Sequence, residues 1–152
     1  MNELARVKTP WHLWVIGIVS LLWNGFGAND YTQTQLGNLD YMRTMMDGMD
    51  VTPEAALAYF QSFPGWVDAS WAFGVWGSLA GSVLLLLRSK RAIIAFSLSL
   101  LGLAGTTLYQ AISETPEWAS SGMAQIMSIV IWAIVTFLLI YSIGMRRKGV
   151  LR

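Results

Sequence analysis

Apolar residues gather into four long blocks, Trp11 to Ala28, Gly65 to Leu87, Ala92 to Ile112 and about Ala124 to Met145, separated by polar segments. At 1.5 Å of rise per residue, about 20 residues cover the roughly 30 Å hydrocarbon layer of a bilayer, and a helix satisfies its own backbone groups there. The period-two alternation that a membrane barrel strand requires is missing. The pattern predicts an all-α polytopic membrane protein, a four-transmembrane-helix bundle organised as one membrane domain over residues 1–152.

The connection between the first two blocks, residues 29–64, is too long for a simple turn and carries helical spacing of its own. Leu39, Met42, Met46 and Met49 recur at that spacing, so the first helix either continues beyond the membrane or restarts after Gly37, and ends near Gly48. A second short helix is signalled by Thr52 as N-cap, Pro53 at the first helical position and Glu54 in the first turn. Its apolar side, Ala56, Leu57, Phe60 and Phe63, is expected to lie on the bilayer surface or to cap the bundle.

Composition agrees with the pattern: 55% of residues are hydrophobic and 12% charged, against about 25% charged in ordinary soluble domains. Mean hydropathy is +0.49. A formal charge of +1 argues against a nucleic-acid partner, which requires a dense basic face. With no cysteine there is no disulfide, thiolate nucleophile, iron–sulfur cluster or thiolate zinc site, and no cofactor is expected.

Charge placement supplies an orientation. Arg6 and Lys8 precede the first block, Arg88, Lys90 and Arg91 join the second to the third, and Arg146, Arg147, Lys148 and Arg152 follow the fourth. The other two connections hold Asp30, Asp40, Asp47, Asp50, Glu54, Glu114 and Glu117, with Arg43 as their lone base. The positive-inside rule then puts both termini in the cytoplasm and the acidic connections outside. Trp11 and Tyr141 at the inner boundary, and Trp23, Trp66, Tyr109 and Trp118 at the outer one, suit interfacial aromatic belts. A cleaved secretory signal is a poorer reading of the first block, because Phe26 stands where a small residue should precede cleavage at Ala28.

The second block carries Gly74, Gly77 and Gly81 with Ser70, Ser78 and Ser82. Helices in lipid associate by close packing, so this stripe is a contact face, either inside the bundle or along a homodimer seam.

Polar residues concentrate where the first block leaves the membrane. In W-N-G-F-G-A-N-D-Y-T-Q-T-Q (Trp23 to Gln35), Asn24, Tyr31 and Gln35 fall near one helical face, and Asp30 and Gln33 lie among them. Asp68 and Trp71 open the second block, and Thr107, Tyr109 and Gln110 close the third at the same depth. Polar groups in a bilayer need partners or water, so Asn24, Asp30, Tyr31, Gln33, Gln35, Asp68, Trp71, Tyr109 and Gln110 are expected to converge on an outward-facing, ligand-binding pocket. Each also has a structural explanation: Asn24 as an interhelical bond, Asp68 as a favourable charge at a helix N-terminus, and Trp71 as a belt residue.

Asp30 and Asp68 form an acid–base pair only if the fold brings them together. No nucleophile elbow, zinc-helix motif or phosphate loop accompanies them, so no catalytic residue is assigned. The single histidine, His12, lies at the opposite edge. Met42, Met45, Met46 and Met49 fall on one helical face; soft thioethers in that array are a weak candidate for Cu(I), and a packing face is the stronger reading.

Through W-N-G-F-G-A-N-D-Y-T-Q-T-Q, F-P-G-W-V-D-A-S-W-A-F-G-V-W-G-S (Phe63 to Ser78) and L-Y-Q (Leu108 to Gln110), the chain resembles small four-span inner-membrane proteins of Gram-negative bacteria. These have no established activity and are sometimes loosely labelled sugar transporter. The resemblance implies a bacterial inner-membrane setting. The expected function is that of a non-enzymatic binding or accessory subunit in the lipid bilayer, partnered by a larger membrane protein or by further copies of itself. One alternative is an oligomeric transporter holding a sugar or polyol against Asn24, Asp30, Gln33, Gln35 and Asp68, although four helices are few for alternating access. Another is an enzyme facing the periplasm that modifies a lipid through Asp30 and Asp68.

Overall fold

The computed structural model describes residues 7–152; Arg6, from the basic start of the sequence, lies outside them. Six helices occur among the described residues: α1 (Trp11–Gln35), α2 (Leu39–Met45), α3 (Pro53–Gln61), α4 (Gly65–Leu86), α5 (Ala92–Ile112) and α6 (Gly122–Arg147). Four of them, α1, α4, α5 and α6, are long and apolar enough to cross a membrane, and the described residues contain no strand. The fold is the all-α four-helix membrane bundle that the hydropathy pattern predicts.

Helix limits follow local chemistry. The α4 and α5 boundaries fall within a residue of expectation, and α6 begins at Gly122 because the Ser121 hydroxyl accepts the Ala124 N–H at 3.3 Å. α1 departs most. It passes Ala28 without a break and runs to Gln35, because no glycine or proline interrupts residues 29–35 and its buried stripe, Leu13, Gly17, Ser20, Asn24 and Ala28, extends to Thr34. The helix closes where Gly37 takes φ +68°, a left-handed conformation that side chains with a Cβ avoid.

α4 and α5 pack backbone against backbone. A Cβ on Gly77 would stand 3.0 Å from Ala95 O and Ser99 N, one on Gly81 would enter the Phe96 ring, and the Ser99 hydroxyl donates to Gly74 O at 2.6 Å. The Gly74, Gly77 and Gly81 face is therefore covered by α5 of the same chain, which settles its role as packing inside the bundle rather than a homodimer seam. α1 lies on the other flank of α4, where Gly17 makes room for Leu86. α6 lies on α5, with Trp132 Nε1 donating to Thr107 Oγ1 at 3.2 Å.

At the basic end the four helices share an apolar core built from Leu13, Leu85, Ala92, Phe96, Leu138 and Met145, closed from below by Val150 and Leu151. His12 and Tyr141 hydrogen-bond between α1 and α6. Arg152 exchanges backbone bonds with the turn between α4 and α5: its N–H donates to Arg88 O and its carbonyl accepts from Lys90 N, both at 2.9 Å.

The opposite, acidic end carries a helical cap. Asn38 accepts the Tyr41 N–H at 3.1 Å to start α2, and Thr52 accepts the Ala55 N–H at 3.2 Å to start α3, with Pro53 at its first position as the sequence signals. Ala56 is fully buried, and Phe60 and Phe63 pack against Trp71, so this amphipathic segment caps the bundle. One expectation is corrected here: α2 ends at Met45, so the four methionines do not share a helical face. Met42 is buried, whereas Met49 lies beyond the helix and is exposed. The packing role holds for Met42, and the geometry that suggested a copper site is broken.

Candidate functional site

α1 and α4 run antiparallel, and their shared face is organised in polar and aromatic rungs. Deepest, the buried Asn24 amide donates to Ser82 Oγ at 2.9 Å and to Ser78 O at 3.3 Å. Two turns further out, the Tyr31 and Trp71 rings meet edge to face with centroids 4.9 Å apart. At the rim, Gln35 Nε2 donates to Asp68 Oδ1 at 2.7 Å. Helical periodicity put Asn24, Tyr31 and Gln35 on one face of α1, and α4 is what that face meets.

The outermost rung opens into a cleft of about 200 Å³ lined by Thr34 and Gln35 of α1, Phe60 and Gln61 of α3, Phe63, and Asp68 of α4. Asp68 sits in the first turn of α4, where the helix dipole favours a carboxylate. The Thr34 hydroxyl donates to Asp30 O at 2.9 Å, which keeps its lone pairs as acceptors. Beneath the cleft, Trp71 packs against Phe60 and Phe63 at centroid distances of 5.5 and 6.2 Å. The rings continue through Tyr59, Trp118, Tyr109 and Trp66 as a connected aromatic layer. The Tyr59 hydroxyl is buried there beside Thr115 without a hydrogen bond of normal geometry, and burial raises its pKa above the ordinary tyrosine value.

The remaining candidates do not join the cleft. Asp30 precedes Gln35 by five residues, about 140° around the helix, and its carboxylate accepts from Tyr41 OH at 3.0 Å on the α2 side. The Tyr41 hydroxyl is pushed up to about 12, first by burial and then by the adjacent Asp30 carboxylate. Gln33 bonds Asn29 and Asn38. Tyr109 belongs to the aromatic layer, Gln110 is exposed on α5, and Asn24 is engaged roughly 16 Å below the rim, three turns of helix away. Asp68 is the one carboxylate lining the cleft, so Asp30 and Asp68 are not brought together in it. Of the nine predicted residues, Gln35 and Asp68 line the cleft while Tyr31 and Trp71 lie on the rungs behind it. The pocket expectation missed Thr34 and Gln61 and placed Phe60 and Phe63 only in the cap. Their signal was the Thr52-Pro53-Glu54 start, which sets where α3 begins and hence that Phe60 and Gln61 form its last turn.

Charge is sharply divided along the bundle axis. The acidic end carries Asp30, Asp40, Asp47, Asp50, Glu54, Asp68, Glu114 and Glu117 against Arg43, which is paired with Asp40 at 2.7 Å. Every described charged residue at the other end is basic. Bundle and cleft together define a multi-pass integral membrane protein with a polar, aromatic-backed recess at its acidic end. The chain matches no protein-family model, no curated protein and no solved structure.

Proposed function

We propose that this chain is a non-enzymatic binding or accessory subunit of a bacterial inner membrane, which captures a small polar solute in the cleft at its periplasmic, acidic end. The observation that carries the reading is the Gln35–Asp68 contact at the mouth of a cleft that is also lined by Gln61, Phe60 and Phe63. The lining is predominantly polar and draws its groups from α1, α3 and α4, which suits a small polar solute. The cleft's position at the end of the bundle, instead of at the membrane midplane, favours capture over alternating access. The inner-membrane setting and the outward direction of the acidic end rest on the family resemblance and on the charge asymmetry.

The test is thermal stabilisation of the purified full-length chain by a panel of pentoses, hexoses, polyols, amino acids and small amines. At least one compound is expected to raise the melting temperature of the wild type and to lose that effect in Gln61→Ala and Phe63→Ala. A panel without effect, or effects indifferent to both substitutions, refutes the site. The accessory role predicts co-purification with a larger membrane protein after mild extraction, and a clean isolated monomer refutes it.

A further inference from the structure

We propose that the ligand of this cleft is a small organic cation, an ammonium group on a compact molecule, an inference that rests on the cleft being the binding site. Three features point to that class. Asp68 has a hydrogen bond from the neutral Gln35 amide, yet among the described residues no lysine, arginine or histidine lies within ion-pairing distance of it. That carboxylate is only partly buried at the cleft, where an incoming ammonium can reach it and pair with it. Phe60 and Phe63 line the same recess and are buttressed by Trp71. Aromatic rings beside a carboxylate are the usual means of holding an ammonium group, because the negative π faces attract it while tolerating its apolar methyls.

The field of the whole end acts in the same direction. Eight carboxylates against one paired arginine raise the local concentration of cations and repel anions. A neutral polyol gains nothing from that field. The volume, about 200 Å³, is below the roughly 300–1,000 Å³ of sites for drug-sized molecules, so the cation is small. The Gln61 side-chain carbonyl supplies an acceptor for an N–H or hydroxyl on the same molecule. The ammonium group can belong to a free amine or to the headgroup of an aminophospholipid; the recognition chemistry is shared.

Binding of radiolabelled choline and ethanolamine to the purified full-length chain, measured by equilibrium dialysis, tests this. The competitors are 3,3-dimethylbutan-1-ol, which is choline's uncharged carbon isostere, and xylitol. The expected result is saturable amine binding that weakens as salt rises. The isostere should compete at least about tenfold less well than choline, and Asp68→Asn should weaken amine binding about ten- to a hundredfold, the worth of one charge-assisted contact. Because the isostere comparison uses the unaltered protein, it stands even where Asp68→Asn folds poorly. Equal competition by the isostere, or undiminished amine binding in a folded Asp68→Asn variant, overturns the cation. Dialysis with radiolabelled xylitol completes the test: xylitol binding that is sensitive to Gln61→Ala, with no amine binding, overturns the cation and leaves the cleft as a site, and absence of all binding overturns both. In nanodiscs, loss of amine binding when phosphatidylethanolamine replaces phosphatidylglycerol identifies the lipid headgroup as occupant, and unchanged binding identifies a free amine.

Discussion

Substituting alanine at two glycines of the bundle should have opposite signs. At Gly102 a Cβ would come well inside 3.0 Å of the Ser70 carbonyl oxygen and the Gly74 amide nitrogen, both backbone atoms of α4. Neither can swing aside as a side chain would, and the Ser99–Gly74 bond of 2.6 Å holds the two helices at that separation. Overpacking a tight contact costs about 1–3 kcal/mol, and a clash with backbone on both atoms belongs in the upper part of that range. Alanine's better helix propensity returns about 1 kcal/mol, leaving Gly102→Ala less stable by about 1–2 kcal/mol. At Gly25, on α1, nothing lies within 4 Å of the added carbon. There only propensity acts, and Gly25→Ala should gain about 0.5–1 kcal/mol. Unfolding of the purified chain in mixed micelles by increasing dodecyl sulfate, followed by circular dichroism, reads both. A Gly102→Ala protein as stable as the wild type, with Gly25→Ala behaving as stated, would refute the close α4–α5 seam.

Asn24→Ala removes two interhelical hydrogen bonds, which in lipid are worth about 0.6 kcal/mol each on average. It should cost about 1 kcal/mol in the same assay while leaving ligand binding at the rim unchanged; lost binding with unchanged stability would make Asn24 a ligand contact. The Tyr41 hydroxyl, raised from 10.0 to about 12, holds its proton more tightly when folded than when unfolded. Its contribution to stability is therefore whole below pH 10 and is lost as pH rises from 10 to 12. Tyrosinate absorbance should show a late ionisation that vanishes in Tyr41→Phe and moves to lower pH in Asp30→Asn. Because the chain has no cysteine, single replacements report orientation: Asp47→Cys should react with a membrane-impermeant maleimide in intact cells and Lys148→Cys only after lysis. The reverse pattern would invert the proposed topology.

The four spans were legible because a bilayer demands about 20 apolar residues per crossing, a requirement each segment meets by itself. Caps were legible for the same local reason: Thr52, Pro53 and Glu54 satisfy the start of α3 whatever surrounds it. The continuation of α1 to Gln35 was open from sequence, since polar residues 29–35 suit a loop as well as a helix until α4 supplies Trp71 and Asp68 to face Tyr31 and Gln35. Asp30 and Gln35 looked equally eligible for one pocket, and only the rotation of α1 against its neighbour separated them.

Tertiary structure also chose the partner of the glycine stripe. Gly74, Gly77 and Gly81 announce that some backbone comes close, but close packing is a short-range interaction that a second copy of α4 and the chain's own α5 satisfy equally well. Ser99 and Gly102 decide for α5, because their spacing along that helix lets it settle against α4 with a hydrogen bond to Gly74 and no Cβ in the way. What the residues determine by themselves is which segments enter the membrane, which faces want contact and which end is acidic. Which faces meet, and hence which of the polar residues line a cleft, depends on distances between segments far apart in the chain, and those exist only once the helices have packed.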